Sequence, residues 1–426
     1  MKNRVTLFCL SAVVATAFGD APAPEVSGLR LISQTESGVC TFGYTLTGAP
    51  GVVTFDVVTN GASIGPQADL AGTINELLEP SETERTFMWR PSGDVAATAL
   101  SAASFRLTVW PTNALPDYLV IDIGAKTAPN RYYTTAAHLP YGGLRNRIYA
   151  TDLLVMRKIP AAGVTWYMGS NSTTDPQRSS NENRHQVTLT SDYWFSIYEV
   201  TKRQYLNMGD DSSKLNMRIK VNNEDHPATG FSQGSGTTGN TLRGSPSDGV
   251  NWPTTGTNVL ATSVIGRFRT ATGILFDLPT EAQWEYACRA GTGTAIYDGS
   301  STLTTNIANR LAAWHGNSIT EYINSQGKPE QAVLPVGSFE PNAWGIYDLY
   351  GNVWETCLDW YTASLSAATD PKGPEKASPT SNDKRVRKGG CFGSTVGDGN
   401  FRSAWRSSGG SGTDFGIRLV CPIGLK

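Results

Sequence analysis

The chain has 426 residues, which is long for one core and suits two domains. Its 35 Lys and Arg against 37 Asp and Glu leave a net charge of −2, so nothing electrostatic calls for a nucleic-acid or anionic-membrane partner. With 44 Gly, 11 Trp and 16 Tyr, and only 17% charged residues, the composition fits a loop-rich, aromatic-rich fold and not a helical bundle.

At the N-terminus, Lys2 and Arg4 precede the apolar run Val5 to Val14. Ala15-Thr16-Ala17 or Ala17-Phe18-Gly19 then offers small residues for cleavage. Residues 1–19 therefore read as a signal peptide, and the protein as secreted, periplasmic or held at the cell surface. The same run also fits a buried N-terminal strand. It is too short to span a membrane comfortably, and no other segment is long and apolar enough to do so. Removing the leader leaves Cys40, Cys288, Cys357, Cys391 and Cys421, an odd set with no CxxC. Neither a disulfide scaffold nor a zinc site is expected.

Residues 25–125 read as a small all-β sandwich of the immunoglobulin or fibronectin kind. Val52 to Val58 and Phe105 to Trp110 are rich in β-branched and aromatic residues, and Asn60-Gly61 marks a turn. Nothing there concentrates titratable groups, so a spacer or adhesion module is expected. Residues 126–155 read as a linker. Ser232 to Pro246, rich in Gly, Ser and Thr, reads as an exposed, mobile loop, and Ser408 to Gly412 as a flexible turn. Helices are expected over 257–271 and from Thr280 to Ala290, the second with Thr280 and Gln283 spaced as a capping box.

Six motifs then follow in order. They are Trp166 to Gly169, Tyr198 to Tyr205, Asp225-His-Pro227 with Asn251-Trp252, Leu278 to Ala287, Asn342 to Glu355, and Arg387 to Gly390 with Phe415 to Arg418. Together they make residues 156–426 resemble the formylglycine-generating enzyme, or sulfatase-modifying factor, family. The resemblance implies an α+β, C-type-lectin-like fold with two helices, small twisted sheets and long packed loops. Read as residues alone, Trp284, Trp354 and Trp360 can supply the core that such a fold needs. Glu281, Glu285 and Glu355 sit beside aromatics, and Arg402, Arg406 and Arg418 are their expected ion-pair partners.

The resemblance also implies a structural calcium ion held by the Asp348 side chain, the Gly351 and Val353 carbonyls and Glu355. Mixed carboxylate and carbonyl oxygens are what calcium takes, although two acids seven apart are common in any sequence. Relatives oxidise a sulfatase cysteine with two cysteines five apart that bind copper as thiolates. Counted from Gly390, those positions are Ser394 and Gly399, so copper is not expected and no catalytic residue is assigned. Cys391 and Cys421 bracket the last loop and read as a disulfide or as two buried residues, while Cys288 and Cys357 read as inert. His185, His226 and His315 form no ligand pattern, and GxSxG, HExxH and phosphate-loop motifs are absent.

What remains is an aromatic-plus-arginine groove formed by Trp354, Cys391, Phe392, Arg402, Trp405 and Arg406. Such a groove suits an extended peptide or a glycan. The expected function is an exported, non-catalytic binding or surface module. The alternative is a divergent formylglycine-generating oxidase that uses Cys391 with another thiol on a sulfatase cysteine.

Overall fold

The computed structural model describes residues 10–14, 22–63, 68–91, 103–126, 128–209, 212–218, 224–232, 241–245, 248, 250, 258–323, 329–374, 384–409 and 412–424. The chain forms two units. One is Met1–Asp122 with Thr127–Asn146, and the other is Ile123–Lys126 with Arg147–Lys426.

In the first unit the strand Ala103–Pro111 alternates strictly between buried and half-exposed residues, the period-2 signature of a strand with one face on a core. It pairs antiparallel with Gly51–Thr59 from Thr59↔Ala103 to Gly51↔Pro111. A second sheet runs in the order Glu25–Gln34, Cys40–Thr47, Ser81–Pro91, Ala68–Gly72. Phe42, Phe55, Phe87, Trp89 and Phe105 from both sheets form one core, with Phe42 and Phe87 stacked at 5.3 Å. Asn60 and Gly61 have φ of 50° and 76° and close a two-residue hairpin between the pairs Val58↔Ser63 and Thr59↔Ala62.

The five residues Leu10–Val14, inside the run read as a leader, pair in parallel with Phe105 to Val109. The rest of that run and both candidate cleavage sites lie outside the described residues. The expected linker is in large part ordered structure. Arg131–Tyr133 is a strand paired with Tyr118–Asp122. It is held there because the Tyr132 N–H donates to the Asn75 carbonyl at 2.6 Å, and the Arg131 guanidinium donates to the Ile74 and Gly72 carbonyls.

The second unit is a mixed, sheet-rich body with four short α-helices among the described residues: α1 Lys202–Asn207, α2 Val264–Thr272, α3 Glu281–Arg289 and α4 Thr305–Leu311. Thr201 and Thr280 form capping boxes with Gln204 and Gln283, so α1 and α3 start where local chemistry dictates. The helix expected over 257–271 begins later, because the Ser263 hydroxyl accepts from the Gly266 N–H at 3.0 Å and fixes the N-cap there. Gly273, at φ 71°, ends it. Helix α4 has no counterpart in the sequence reading. Of the expected Gly/Ser loop, residues 233–240 and 246 lie outside the described residues, as do 410–411 of the Ser408 to Gly412 turn.

Helix α3 turns Ala282, Trp284, Ala287 and Cys288 into a core shared with Tyr193, Phe195, Leu349, Tyr350 and Phe401. The sheet that carries the candidate site runs in the order Ser407–Gly409, Arg385–Lys388, Trp354–Trp360, Phe415–Gly416. Trp354–Trp360 is buried along its whole length, and this brings Trp354 and Glu355 beside Phe415 and Gly416. No helix among the described residues is long and apolar enough to cross a membrane.

Candidate functional site

The strand Arg385–Lys388 ends in Gly389 and Gly390, at φ 90° and 84°, and the chain turns sharply into the loop that holds Cys391 and Ser394. The Ser394 N–H donates to the Cys391 carbonyl at 2.9 Å. The Ser394 hydroxyl accepts from the Cys391 N–H at 3.2 Å and from the Asn400 side-chain amide at 3.1 Å. Ser394 is therefore a buried structural hydroxyl. Gly399, at φ 65°, caps the short 3-10 turn Val396–Asp398. Neither residue can be a thiolate.

The Cys391 sulfur lies 3.6 Å from the Ser394 hydroxyl and 3.6 Å from an Asp414 carboxylate oxygen. Burial pushes its thiol up to about 11, the Ser394 hydrogen bond opposes that, and the charge of Asp414 adds to it. Cys288 is pushed up to about 12, again chiefly by burial. Cys421 sits opposite Trp194 in a different sheet, and all five described cysteines are free and buried. Of the two readings left open for Cys391 and Cys421, the structure has the pair of separate buried thiols.

Of the expected groove, part comes together. Trp354 and Trp405 stack with centroids 5.0 Å apart and planes at 26°, and they cluster with Cys391 and Phe415. Trp405 is half-exposed. The Arg387 guanidinium lies 4.3 Å from the Trp354 ring centre, a cation–π contact. Phe392 packs instead with Val333 and Val353.

Arg402 and Arg406 do not line the groove, and the expectation for both is corrected. Arg402 is 1% exposed. It makes two 2.7 Å bonds to Glu182, a further bond to Asp175, and a 2.7 Å bond to the Gly399 carbonyl. Arg406 grips both oxygens of Glu281 at 2.6 and 2.8 Å. Desolvating a guanidinium is costly unless carboxylates receive it, and these two are already received. Arg418, one of the candidate partners, pairs with Glu355. Glu285 takes Arg289 and Lys388, neither of them among the candidate partners, and against the effect of burial these two cations hold its carboxyl below the usual range.

The loop Asp348 to Glu355 closes around Gly351. A Cβ there would lie 2.0 Å from the Ala313 carbonyl oxygen, so only glycine fits. Burial, and then the charges of Asp348 and Glu355, push the Glu199 carboxyl well up, and burial with the charge of Glu355 pushes Asp348 up to about 7 against the Gly337 N–H and the Arg418 guanidinium. One Asp348 oxygen accepts from the Gly337 N–H at 2.6 Å, and the other is buried without a hydrogen-bond partner. Both Glu355 oxygens are shared with Arg418, and one also accepts from the Trp284 indole at 2.6 Å. The orphaned oxygen, and buried carboxyls pushed up for want of counter-charge, fit a divalent cation beside Asp348. At Glu355 such a cation would share its ligand with Arg418. Among the described residues no three His, Cys, Asp or Glu side chains form a metal-holding group, so a cation here would depend on backbone carbonyls.

A family model, the sulfatase-modifying factor enzyme 1-like domain, matches residues 156–423. The chain belongs to this family. Among curated relatives, the formylglycine-generating enzyme of Thermomonospora curvata is 39% identical over 121 residues, covering 27% of this chain and 38% of that protein. The mouse (Mus musculus) formylglycine-generating enzyme is 37% identical over 117 residues, covering 27% of this chain and 30% of that protein. The match thus spans well under half the length of these relatives. The solved structure of Treponema denticola variable protein 1 aligns at TM-score 0.44 and 20% identity, covering 63% of this chain and 95% of that one.

Within this family scaffold, several residues at the site escaped the sequence reading. Asp175, Glu182 and Glu199 lie outside the quoted motifs or were passed over inside them, and Asp414 follows the Gly/Ser turn. Arg387 stood in a quoted motif, and its position one residue before the fully buried Lys388 of a strand could have marked it as facing the other side.

Proposed function

We propose that the family domain of this chain is a non-catalytic recognition module that binds an extended peptide or a glycan across the Trp354–Trp405 stack. One observation carries this reading. The loop after Gly390 is built around a Ser394 hydroxyl and a Gly399 turn where the family resemblance places two thiolates, while the half-exposed Trp405, stacked on the buried Trp354 with Arg387, stands next to it. A flat aromatic pair with a cation at its side can hold a sugar face or a peptide side chain without any bond being made or broken. A C-type-lectin-like fold that presents such a loop surface, and export to the cell surface or beyond, belong to the same proposal.

The Asp348 to Glu355 loop is proposed to carry a structural calcium ion through Asp348, the Gly351 and Val353 carbonyls and Glu355. The ion would neutralise the buried acids and stiffen the loop behind Trp354.

The test is a copper titration followed by incubation, under air, with a peptide carrying the sulfatase cysteine motif. No formylglycine is expected, and turnover would establish the oxidase alternative instead. In parallel, glycan and peptide arrays probed with the wild type and with Trp405→Ala identify the ligand class. Loss of the aromatic platform is expected to weaken binding about tenfold. Arrays that yield no ligand sensitive to Trp405 would end the proposal.

A further inference from the structure

Away from the tryptophan stack, the second unit has a cleft of about 440 Å³. Its walls are largely apolar, with Leu189, Tyr193, Leu275 and Leu358 among them. Its floor is unusual for such a place. Arg243 binds both oxygens of Asp277 at 2.9 and 3.0 Å, and Arg269 reaches the same carboxylate at 3.2 Å. Arg269 also donates to the Phe276 carbonyl at 2.6 Å, so its head is fixed in position. A third guanidinium, Arg385, is buried close by, stacked 3.3 Å from the Trp360 ring centre and bonded to the Leu358 carbonyl at 2.8 Å.

We propose that this cleft is a binding site for a small organic anion, a carboxylate or phosphate monoester on a compact apolar body, with its charged group seated at Arg243 and Arg269.

The physical reason is like-charge crowding in a poorly solvated place. Burial and then the neighbouring Arg243 push Arg385 down to about 8, and burial is also the main cause that lowers Arg269. An anion entering the cleft relieves that repulsion, and the fork geometry of guanidinium matches the paired oxygens of both ligand classes. The carboxylates that face the cleft do not compete equally for these arginines. Asp192 accepts the Ala161 and Ala162 N–H groups at 2.8 Å, and Asp370 is bonded to Thr190. Of the carboxylates lining the cleft only Asp277 bonds to these guanidiniums, its Oδ1 also accepting the Leu278 N–H at 2.8 Å, while outside the lining the charge of Asp359 also acts on Arg385. The apolar walls then discriminate for a ligand with a hydrophobic body over a free inorganic ion.

The probes are benzoate, phenyl phosphate and inorganic phosphate, with benzamide as the uncharged control, titrated calorimetrically into the full chain. Saturable binding of benzoate or phenyl phosphate is expected. Whichever binds names the class, and inorganic phosphate should be weaker than its phenyl ester. Arg269→Gln is expected to weaken binding about tenfold, as loss of one charge-assisted contact does, while Arg269→Lys retains part of it. Leu275→Trp, which leaves every charge in place, is expected to narrow the cleft and block the aromatic probes. It keeps the test decisive if Arg269→Gln fails to fold. Equal affinity for benzamide, binding untouched by both Arg269→Gln and Leu275→Trp, or no binding of either organic anion would each overturn the proposal.

Discussion

The Cys391 sulfur and the Ser394 hydroxyl stand 3.6 Å apart, closed into one hydrogen-bonded turn with the Asn400 amide. This loop is where the family resemblance calls for a reactive thiolate pair, and its single thiol is buried and pushed up to about 11. The chemical consequence is slow alkylation. With burial pushing the thiol from its ordinary 9.0 up to about 11, the thiolate at neutral pH is about a hundredfold scarcer than in a free cysteine. Iodoacetamide labelling of the native protein followed by peptide mapping should leave Cys391 essentially unmodified until the chain is denatured. The double variant Ser394→Cys/Gly399→Cys should acquire Cu(I) binding that the wild type lacks. It carries a strain of about 1–2 kcal/mol, because Gly399 has φ 65°. Fast native labelling of Cys391, or copper binding by the wild type, would contradict this account.

Arg402 offers a second prediction, because its role changed most between sequence and structure. Replacing it with Ala strands two buried acids, Asp175 and Glu182, and should cost about 3–5 kcal/mol of stability. Arg402→Lys cannot reproduce the paired bonds to Glu182 and should recover only part of it. Denaturant midpoints measure both. A groove residue would instead change ligand affinity and leave the midpoint nearly unmoved.

What was legible in the sequence was what neighbours along the chain decide. Asn60-Gly61 closes a hairpin because two adjacent residues accept positive φ, and Thr280 starts a helix because Gln283 is three residues on. That Glu281 and Glu355 need partners, with Arg406 and Arg418 among the candidates, was also legible, since charged residues buried among aromatics must find partners; which arginine meets which acid was not. Arg402 was misplaced because its partners lie more than two hundred residues away, outside any motif that would announce them. The strand inside the connector was hidden for a related reason. Arg131–Tyr133 has no strand period of its own and is ordered by carbonyls of residues 72–75 that only the fold brings near.

For the calcium proposal, the prediction is a loss of stability on chelation. Protein purified without chelator should contain calcium on elemental analysis, and EDTA should lower its melting temperature reversibly. At a hundredfold excess over the dissociation constant, the ion contributes about 2.7 kcal/mol. Asp348→Ala, which removes the oxygen left without a hydrogen-bond partner, should abolish the response to EDTA. Calcium-free protein whose melting is indifferent to both ion and chelator would refute it.

Asp359 supplies a pH prediction independent of any ligand. Burial raises its carboxyl from 3.8 to about 7, the like charge of Glu281 adds to this, and the Glu281 N–H, Arg406 and Arg385 oppose it. The folded pKa thus lies above the unfolded one, so folding takes up a proton over the interval between them. The resulting stability is fully present below the unfolded value and is lost as pH rises through about 7. A shift of this size is worth at most about 4 kcal/mol. Asp359→Asn mimics the protonated form, and its amide oxygen can still accept the Glu281 N–H that Asp359 accepts at 2.8 Å. The variant should therefore lose less stability than the wild type between pH 5 and pH 8 in chemical denaturation, with the gap widest above about pH 7. Parallel pH profiles for the two proteins would mean that Asp359 is ionised throughout, and that Arg406 and Arg385 outweigh its burial.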